Sequence, residues 1–225
     1  MMRHLLPLAT ACCLLSMPAF AAEGHQDHRR PADIKEYLAH LDSEERDQHQ
    51  KPRQVLEALA LKPGMAVADL GSGSGYFTRR FIEAVTETGK VYAVDVEPEL
   101  LKYTEESIVH MHRAYTAEFI LARTDSPKLP YESIDLLFVC NTYHHLDERA
   151  KYFSDTKSSL KPGGRVAIID FYQDERSGDL GFPKHHLILR ETVIAELTEA
   201  GYRLIREHTF LPRQYFLEFT SIAAP

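Results

Sequence analysis

Between residues 67 and 76 the chain reads Val67-Ala68-Asp69-Leu70-Gly71-Ser72-Gly73-Ser74-Gly75-Tyr76. Three glycines at alternate positions let a backbone approach a ligand closely and adopt conformations that a Cβ forbids. A dinucleotide fingerprint spaces its glycines as G-x-G-x-x-G, so that helix-terminal amides receive a pyrophosphate. Here Tyr76 stands where that pattern needs its third glycine. Asp69, just before the glycines, would repel a pyrophosphate but can hold an ammonium. The loop is therefore read as a cradle for a cationic adenosine ligand, the plain alternative being a tight strand-to-helix turn with no ligand.

Two more acids end or follow short apolar runs. Asp95 closes Val91-Tyr92-Ala93-Val94-Asp95; its carboxylate can accept a charge-assisted pair of hydrogen bonds from a diol, and it can also cap the helix opening near Pro98. Asp125, before Ser126-Pro127, is either a ligand acid or a turn cap. The next cluster is Cys140-Asn141-Thr142-Tyr143-His144-His145. Neutral imidazole is available near pH 7, so His144 and His145 are the candidate catalytic bases; the alternative is one helix cap and one solvated ring. Asn141 and Tyr143 are expected to line the ligand pocket. A second zone runs from Asp170-Phe171-Tyr172 through Gly178, Gly181 and Pro183, a possible substrate lid, to His185-His186. Four histidines with no carboxylate at diagnostic spacing do not define a metal site, and no metal is assigned. Cys140, within an apolar strand, reads as a buried inert thiol.

These residues need a scaffold that brings distant segments to one edge. Ile34, Tyr37, Leu38 and Leu41 form a helical face, and Val55, Leu56 and Leu59 mark another helix, opened near Pro52 and closed by Lys62-Pro63-Gly64. From Met65 onward, strands and helices alternate. Strands are expected at 66–70, 91–95, 119–122, 135–140 and 165–171. Helices are expected at 76–85, 98–112, 146–160 and 192–200, the third with Leu146, Ala150, Phe153 and Leu160 on one face. Two last runs, 203–211 and 215–222, turn at Pro212-Arg213 and read as an antiparallel pair. Such alternation means a parallel sheet covered on both faces, with its ligand beyond the carboxyl ends of the strands where their order reverses.

Asp69-x-Gly71-x-Gly73-x-Gly75 resembles motif I of the class I S-adenosylmethionine-dependent methyltransferases. Val91 to Asp95 resembles their second strand, ending in the acid that holds the ribose hydroxyls. Thr124-Asp125 falls where the family places an acid near the adenine amino group, and Leu160-Lys161-Pro162-Gly163-Gly164-Arg165 is similar to the loop entering their fifth strand. Within the class the chain looks most like the small-molecule branch that includes the ubiquinone/menaquinone methyltransferases, also through Leu211-Pro212-Arg213-Gln214-Tyr215-Phe216. The resemblance spans residues 50 to 219. It implies a Rossmann-like α/β sandwich, with a mostly parallel seven-stranded sheet, a C-terminal antiparallel pair and added N-terminal helices. It also implies S-adenosylmethionine as cofactor, bound by Asp69, Gly71, Gly73, Gly75, Asp95, Asp125 and Asn141, and a small-molecule methyl acceptor. The N-terminal helices, with Gln50-Lys51-Pro52-Arg53, either cover the cofactor or simply pack on the sheet.

The 225 residues suit one domain with additions. A net charge of −7 and no long Lys/Arg cluster argue against nucleic-acid binding through phosphates. The start has the form of a secretory signal: Arg3 and His4, an apolar run from Leu5 to Met17, then Ala19 and Ala21 in an A-x-A arrangement. The run is short of the ~20 residues that span a bilayer. Cys12 after Thr10-Ala11 would suit lipidation, but apolar chain continues well beyond it. Cleavage is expected before Ala22, giving residues 1–21 as signal, 22–49 as polar leader and N-terminal helix, and 50–225 as the methyltransferase domain. The protein would then be periplasmic or secreted, without stable membrane insertion. His25 and His28 read as solvated tail histidines. Cleavage leaves Cys140 alone, so no internal disulfide forms. Because S-adenosylmethionine is made in the cytosol, export leaves a second reading: a protein of the same fold that binds S-adenosylmethionine, S-adenosylhomocysteine or another nucleoside without catalysis. The oligomeric state is not readable from the sequence.

Overall fold

The computed structural model describes residues 34–181 and 183–222. The signal segment, its cleavage site, His25, His28 and most of the polar leader lie outside the described residues.

Three short helices come first: α1 (Ile34–Leu41), α2 (Glu44–Gln50) and α3 (Pro52–Leu59). The alternating body follows as β1 (Ala66–Leu70), α4 (Tyr76–Val85), β2 (Lys90–Asp95), α5 (Pro98–Ile108), β3 (Ala117–Leu121) and β4 (Ile134–Cys140). It ends with α6 (Arg149–Thr156), β5 (Leu160–Phe171), α7 (Arg190–Glu199), β6 (Tyr202–His208) and β7 (Gln214–Ser221). The seven strands form one sheet in the order β3-β2-β1-β4-β5-β7-β6. The first five are parallel, and β7 runs antiparallel between β5 and β6.

Every residue of β1 is buried, as are six of the seven in β4. That is the pattern of a parallel strand covered on both faces. One core joins α3, α4 and the end of α5 to the sheet through Val55, Leu59, Phe77, Phe81, Ile82 and Ile108. Phe77 and Phe81 meet Phe138 edge-on at 4.7 and 5.0 Å between ring centroids, a preferred aromatic geometry. The other core sets Phe153 of α6 and Val193 and Leu197 of α7 against the opposite face.

Several features differ from the sequence expectation: the helix expected over 98–112 ends at Ile108, and the strand expected over 203–211 ends at His208. The helix expected over 146–160 is only Arg149–Thr156, and a short 3-10 turn, Lys157–Ser159, follows it. Leu160 is the first residue of β5, paired with Ile134, so it does not continue the helical face. The charged 42–47 stretch, for which no helix was expected, belongs largely to α2. That helix lacks an apolar stripe, and Gln50 is its buried residue, so periodicity could not reveal it.

Parallel register fixes the site. Leu70 pairs with Val94 and Val139, and Cys140 pairs with Ile169. The carboxyl ends of β1, β2, β4 and β5 therefore lie along one edge, and the strand order reverses between β1 and β4.

Candidate active site

The chain leaves β1 through three positive-φ glycines, Gly71 (+74°), Gly73 (+56°) and Gly75 (+78°). A Cβ at Gly71 would fall 2.1 Å from Thr142 Oγ1, and one at Gly75 would fall 2.6 Å from Thr104 Cγ2. No ordinary side chain fits either place. The Gly71 amide donates to the Val94 carbonyl at 2.8 Å. The Gly73 amide donates to Asp95 Oδ2 at 2.9 Å, and Asp95 Oδ1 accepts from the Glu97 amide at 3.0 Å. Asp95 thus ties the glycine loop to the start of α5 while standing buried at the mouth of β2. Burial raises its carboxyl, and the backbone hydrogen bonds oppose that rise.

Asp69 is buried below the loop and accepts from Thr78 Oγ1 at 2.6 Å. Desolvation raises its carboxyl to about 6, against the opposing Thr78 hydrogen bond and the charge of Arg46. A buried carboxyl disfavoured in its charged form gains most from a cationic neighbour. Ser72 Oγ in the same loop is buried and, like Gln50 Nε2 and Gln214 Oε1, has no hydrogen-bond partner among the described residues.

Beyond β4 the backbone takes a left-handed turn at Asn141 (φ +54°) and then a 3-10 turn, Tyr143–His145. Asn141 Oδ1 accepts from Gln214 Nε2 at 2.5 Å, which also donates to Gln50 Oε1 at 3.3 Å. This contact joins the end of α2, the mouth of β4 and the start of β7. His144 Nδ1 lies 2.8 Å from Asp170 Oδ1 at the end of β5. The His144 side chain is 4% exposed and that of Asp170 0%. The His145 ring lies tilted against that of His144, 4.0 Å between centroids. Burial pushes the Cys140 thiol up to about 12, which makes it a poor nucleophile at neutral pH.

A cavity of about 560 Å³ opens over this edge, under α1 and α2. Asn141, His144 and His145 line it together with His49, Phe171 and Arg213. The structure thus brings Asn141, His144 and His145 to one cavity and gathers Asp69, Asp95 and the three glycines at the neighbouring strand ends. Asp125 is elsewhere in character: its side chain is 65% exposed and pairs with Arg123 at 2.9 Å, which holds its carboxyl low. His185 and His186 meet edge-on at 4.4 Å between ring centroids and are not among the residues that line the cavity. Among the described residues, no group of three or more His, Cys, Asp or Glu is arranged to hold a metal ion. Sequence reading placed Asp170 at the start of the second candidate zone without pairing it to His144, and gave no site role to Gln214 or to the α2 residues Arg46 and His49. Strand register is what would have found the pairing, because it places the residue after Ile169 beside the turn after Cys140.

A family model described as a methyltransferase domain matches residues 68–168. A crystallised SAM-dependent methyltransferase from Aquifex aeolicus is 30% identical, with a TM-score of 0.76 over 83% of this chain and 97% of that one. The chain belongs to the S-adenosylmethionine-dependent methyltransferases. The ubiquinone/menaquinone biosynthesis C-methyltransferase UbiE of Escherichia fergusonii is 27% identical over 119 residues, 53% of this chain and 47% of the relative. The methyltransferase described here therefore spans about half the length of the curated relatives it matches. A possible exported protein from Bordetella parapertussis shares the fold, at 18% identity and a TM-score of 0.62 over 80% of this chain and 68% of that one.

The cofactor of these methyltransferases is S-adenosylmethionine, and the strand-end residues fit it. The glycine loop is a cradle that a Cβ would fill, Ser72 Oγ is an unpartnered buried polar atom, and Asp69 is a buried acid whose environment favours a cationic neighbour.

Proposed function

We propose that this methyltransferase transfers a methyl group to a small-molecule acceptor bound in the cavity beneath α1 and α2, with His144 as general base. The observation that carries the reading is the buried His144–Asp170 pair on the cavity wall. Asp69, Asn141, Asp95 and the glycines at 71, 73 and 75 would hold the cofactor: Asp69 at its ammonium, Asp95 at its ribose hydroxyls, and the glycine backbone close against its body. Asp125 would reach the adenine only by exchanging its Arg123 partner, so the adenine contact is assigned to it as the least constrained part of this set.

When bound, S-adenosylmethionine supplies an electrophilic methyl group on a sulfonium. The chain's own contributions are alignment, exclusion of water and proton removal. The Asp170 carboxylate accepts from Nδ1–H of His144, which selects the tautomer with its lone pair on Nε2. That nitrogen would take the proton that the acceptor atom gives up. His145, exposed beside it, is the second candidate base. The α1–α2 corner roofs the reaction: Asp42 accepts from Ser74 Oγ and Arg79 Nη2, both at 2.7 Å, which pins the corner to the glycine loop.

A small-molecule acceptor is supported by the partly enclosed cavity and by the UbiE relatives, whose name describes C-methylation in quinone biosynthesis. We also place the mature protein, from Ala22 onward, in the periplasm or outside the cell, on the strength of the signal pattern at residues 1–21. Sequencing the protein's N-terminus from fractionated cells tests this: a start at Ala22 in the periplasmic fraction is expected, and an intact Met1 confined to the cytosol overturns it.

The enzyme reading is tested by calorimetric titration with S-adenosylmethionine and S-adenosylhomocysteine, followed by an acceptor screen that reads S-adenosylhomocysteine release. Micromolar binding and acceptor-dependent release are expected. A folded protein giving no heat with either ligand would exclude the reading, and binding without turnover on any acceptor would favour the non-catalytic alternative.

A further inference from the structure

The cavity has a charge imbalance that methyl transfer alone does not require. Arg46 of α2 and Arg213, just before β7, both line it and are half-buried. Neither guanidinium has a carboxylate within 4.0 Å among the described residues. Arg46 donates to the Leu41 carbonyl at 2.9 Å and lies 3.9 Å over the Tyr76 ring. Arg213 donates to the carbonyls of Ser177 and Asp179 at 2.6 and 3.0 Å. Backbone carbonyls and a ring face orient these cations, and the buried Asp69 feels the Arg46 charge without pairing with it. The acidic residues of the lining, Glu45 and Asp179, are exposed. His49 reports the resulting field: burial first, then the Arg213 charge and more weakly that of Arg46, push its imidazole down. All this occurs in a chain whose net charge is −7. Beside these cations lies an apolar surface, with the Phe171 ring 6.3 Å from His49 and 5.8 Å from the Arg213 guanidinium.

We propose that the methyl acceptor is an organic anion, its carboxylate- or phosphate-class group held by Arg213 and Arg46 and its apolar body lying on Phe171. The proposal rests on the reading of this cavity as the acceptor site. Planar guanidinium groups suit oxyanions because they offer paired, charge-assisted donors. A positive, partly enclosed cavity on an acidic protein also concentrates small anions over neutral molecules. The same oxyanion chemistry could come from the cofactor's own carboxylate, so the test must separate the two sources.

Benzoate and its neutral isostere benzamide serve as probes, titrated by ligand-observed NMR into the protein saturated with S-adenosylhomocysteine. Benzoate is expected to bind at least about tenfold more tightly than benzamide. Its binding should weaken with added salt and fall by a similar factor in Arg213→Met, while affinity for S-adenosylhomocysteine stays within about twofold. The wild-type comparison needs no folded variant. Equal binding of the two probes overturns the proposal. So does displacement of benzoate by S-adenosylhomocysteine, which would assign the guanidiniums to the cofactor. Should S-adenosylhomocysteine not bind, the proposed function fails separately, and the same titration of the unliganded protein still decides whether an anion site exists.

Discussion

His144 Nδ1 lies 2.8 Å from Oδ1 and 2.9 Å from Oδ2 of Asp170, and the same carboxylate accepts the His144 amide at 3.2 Å. The two residues are 26 positions apart and come from the ends of adjacent parallel strands. Asp170 Oδ1 also accepts its neighbour's amide, Phe171 N, at 2.8 Å. A carboxylate held by two amides and an imidazole cannot swing, so the ring it grips keeps one orientation toward the cavity. This is the arrangement expected where a base must be presented in a fixed tautomer.

Replacing Asp170 by Asn keeps the shape but lets an amide face the imidazole, which frees the ring to take the other tautomer. Acceptor-dependent turnover should fall about a hundredfold or more, and the ring ¹⁵N shifts of His144 should change. S-adenosylhomocysteine affinity should hold, because Asp170 lies apart from the glycine loop. Undiminished turnover in Asp170→Asn, or in His144→Gln, would remove His144 as the base.

Asp95 joins the Gly73 and Glu97 amides and stands at the expected ribose position. In Asp95→Ala, calorimetry should show S-adenosylhomocysteine binding lost, and melting should show stability lower by about 1–3 kcal/mol for the orphaned amides. Asp95→Asn keeps one carbonyl oxygen for an amide and should recover part of the stability but little of the binding. Equal losses in both variants would make the residue purely structural.

Strand and helix positions near the glycine loop were legible because pattern and packing agree there: β1 and α4 begin and end as the apolar runs do. The helix before β5 was not, because Leu160 is apolar in either setting, and its pairing with Ile134 across the sheet decides the matter. Helix α2 was invisible for a different reason. Its sequence, Glu44-Glu45-Arg46-Asp47-Gln48-His49-Gln50, has no apolar face, and its anchoring is polar: Asp47 accepts from the Tyr76 hydroxyl and Gln50 meets Gln214. With α2 unseen, the positive wall of the cavity was unseen too. The candidate acids at the ends of β1 and β2 were readable from their places beside glycines and at a strand end, and the structure buries both. Asp125 shares that kind of local signal, yet in the structure it is an exposed partner of Arg123. Asp170 heads the second candidate zone, but its pairing with His144 carries no local signal, since it depends on register between two strands.

Gly71 tests the cradle from the covalent side. Gly71→Ala would put a Cβ 2.1 Å from Thr142 Oγ1 on a backbone at φ +74°. Left-handed strain and overpacking together should cost about 2–4 kcal/mol. Pairing it with Thr142→Gly should relieve the clash but not the strain, recovering roughly half in a denaturant melt. Full recovery would mean that the backbone conformation matters less than the contact.

The last prediction concerns pH and turns on Asp69. Its carboxyl rises from 3.8 to about 6, chiefly by burial. A carboxyl with a raised folded value binds its proton more tightly in the native state than in the unfolded chain. Its stabilising effect is therefore full below about pH 4 and is lost as the pH climbs to about 6. At neutral pH the unliganded protein carries a buried ionised carboxylate at a cost of about 3 kcal/mol. An ammonium placed beside Asp69 offsets that cost and draws the proton off. Affinity for S-adenosylhomocysteine should accordingly increase as pH rises through about 6 and then level, while in Asp69→Asn this increase disappears. Without ligand, Asp69→Asn should equal or exceed the wild type in stability at pH 7.5 and match it near pH 4.5. Calorimetric titrations and melts across that range read both effects. A wild-type affinity that stays flat from pH 5 to 7 would place the ammonium elsewhere.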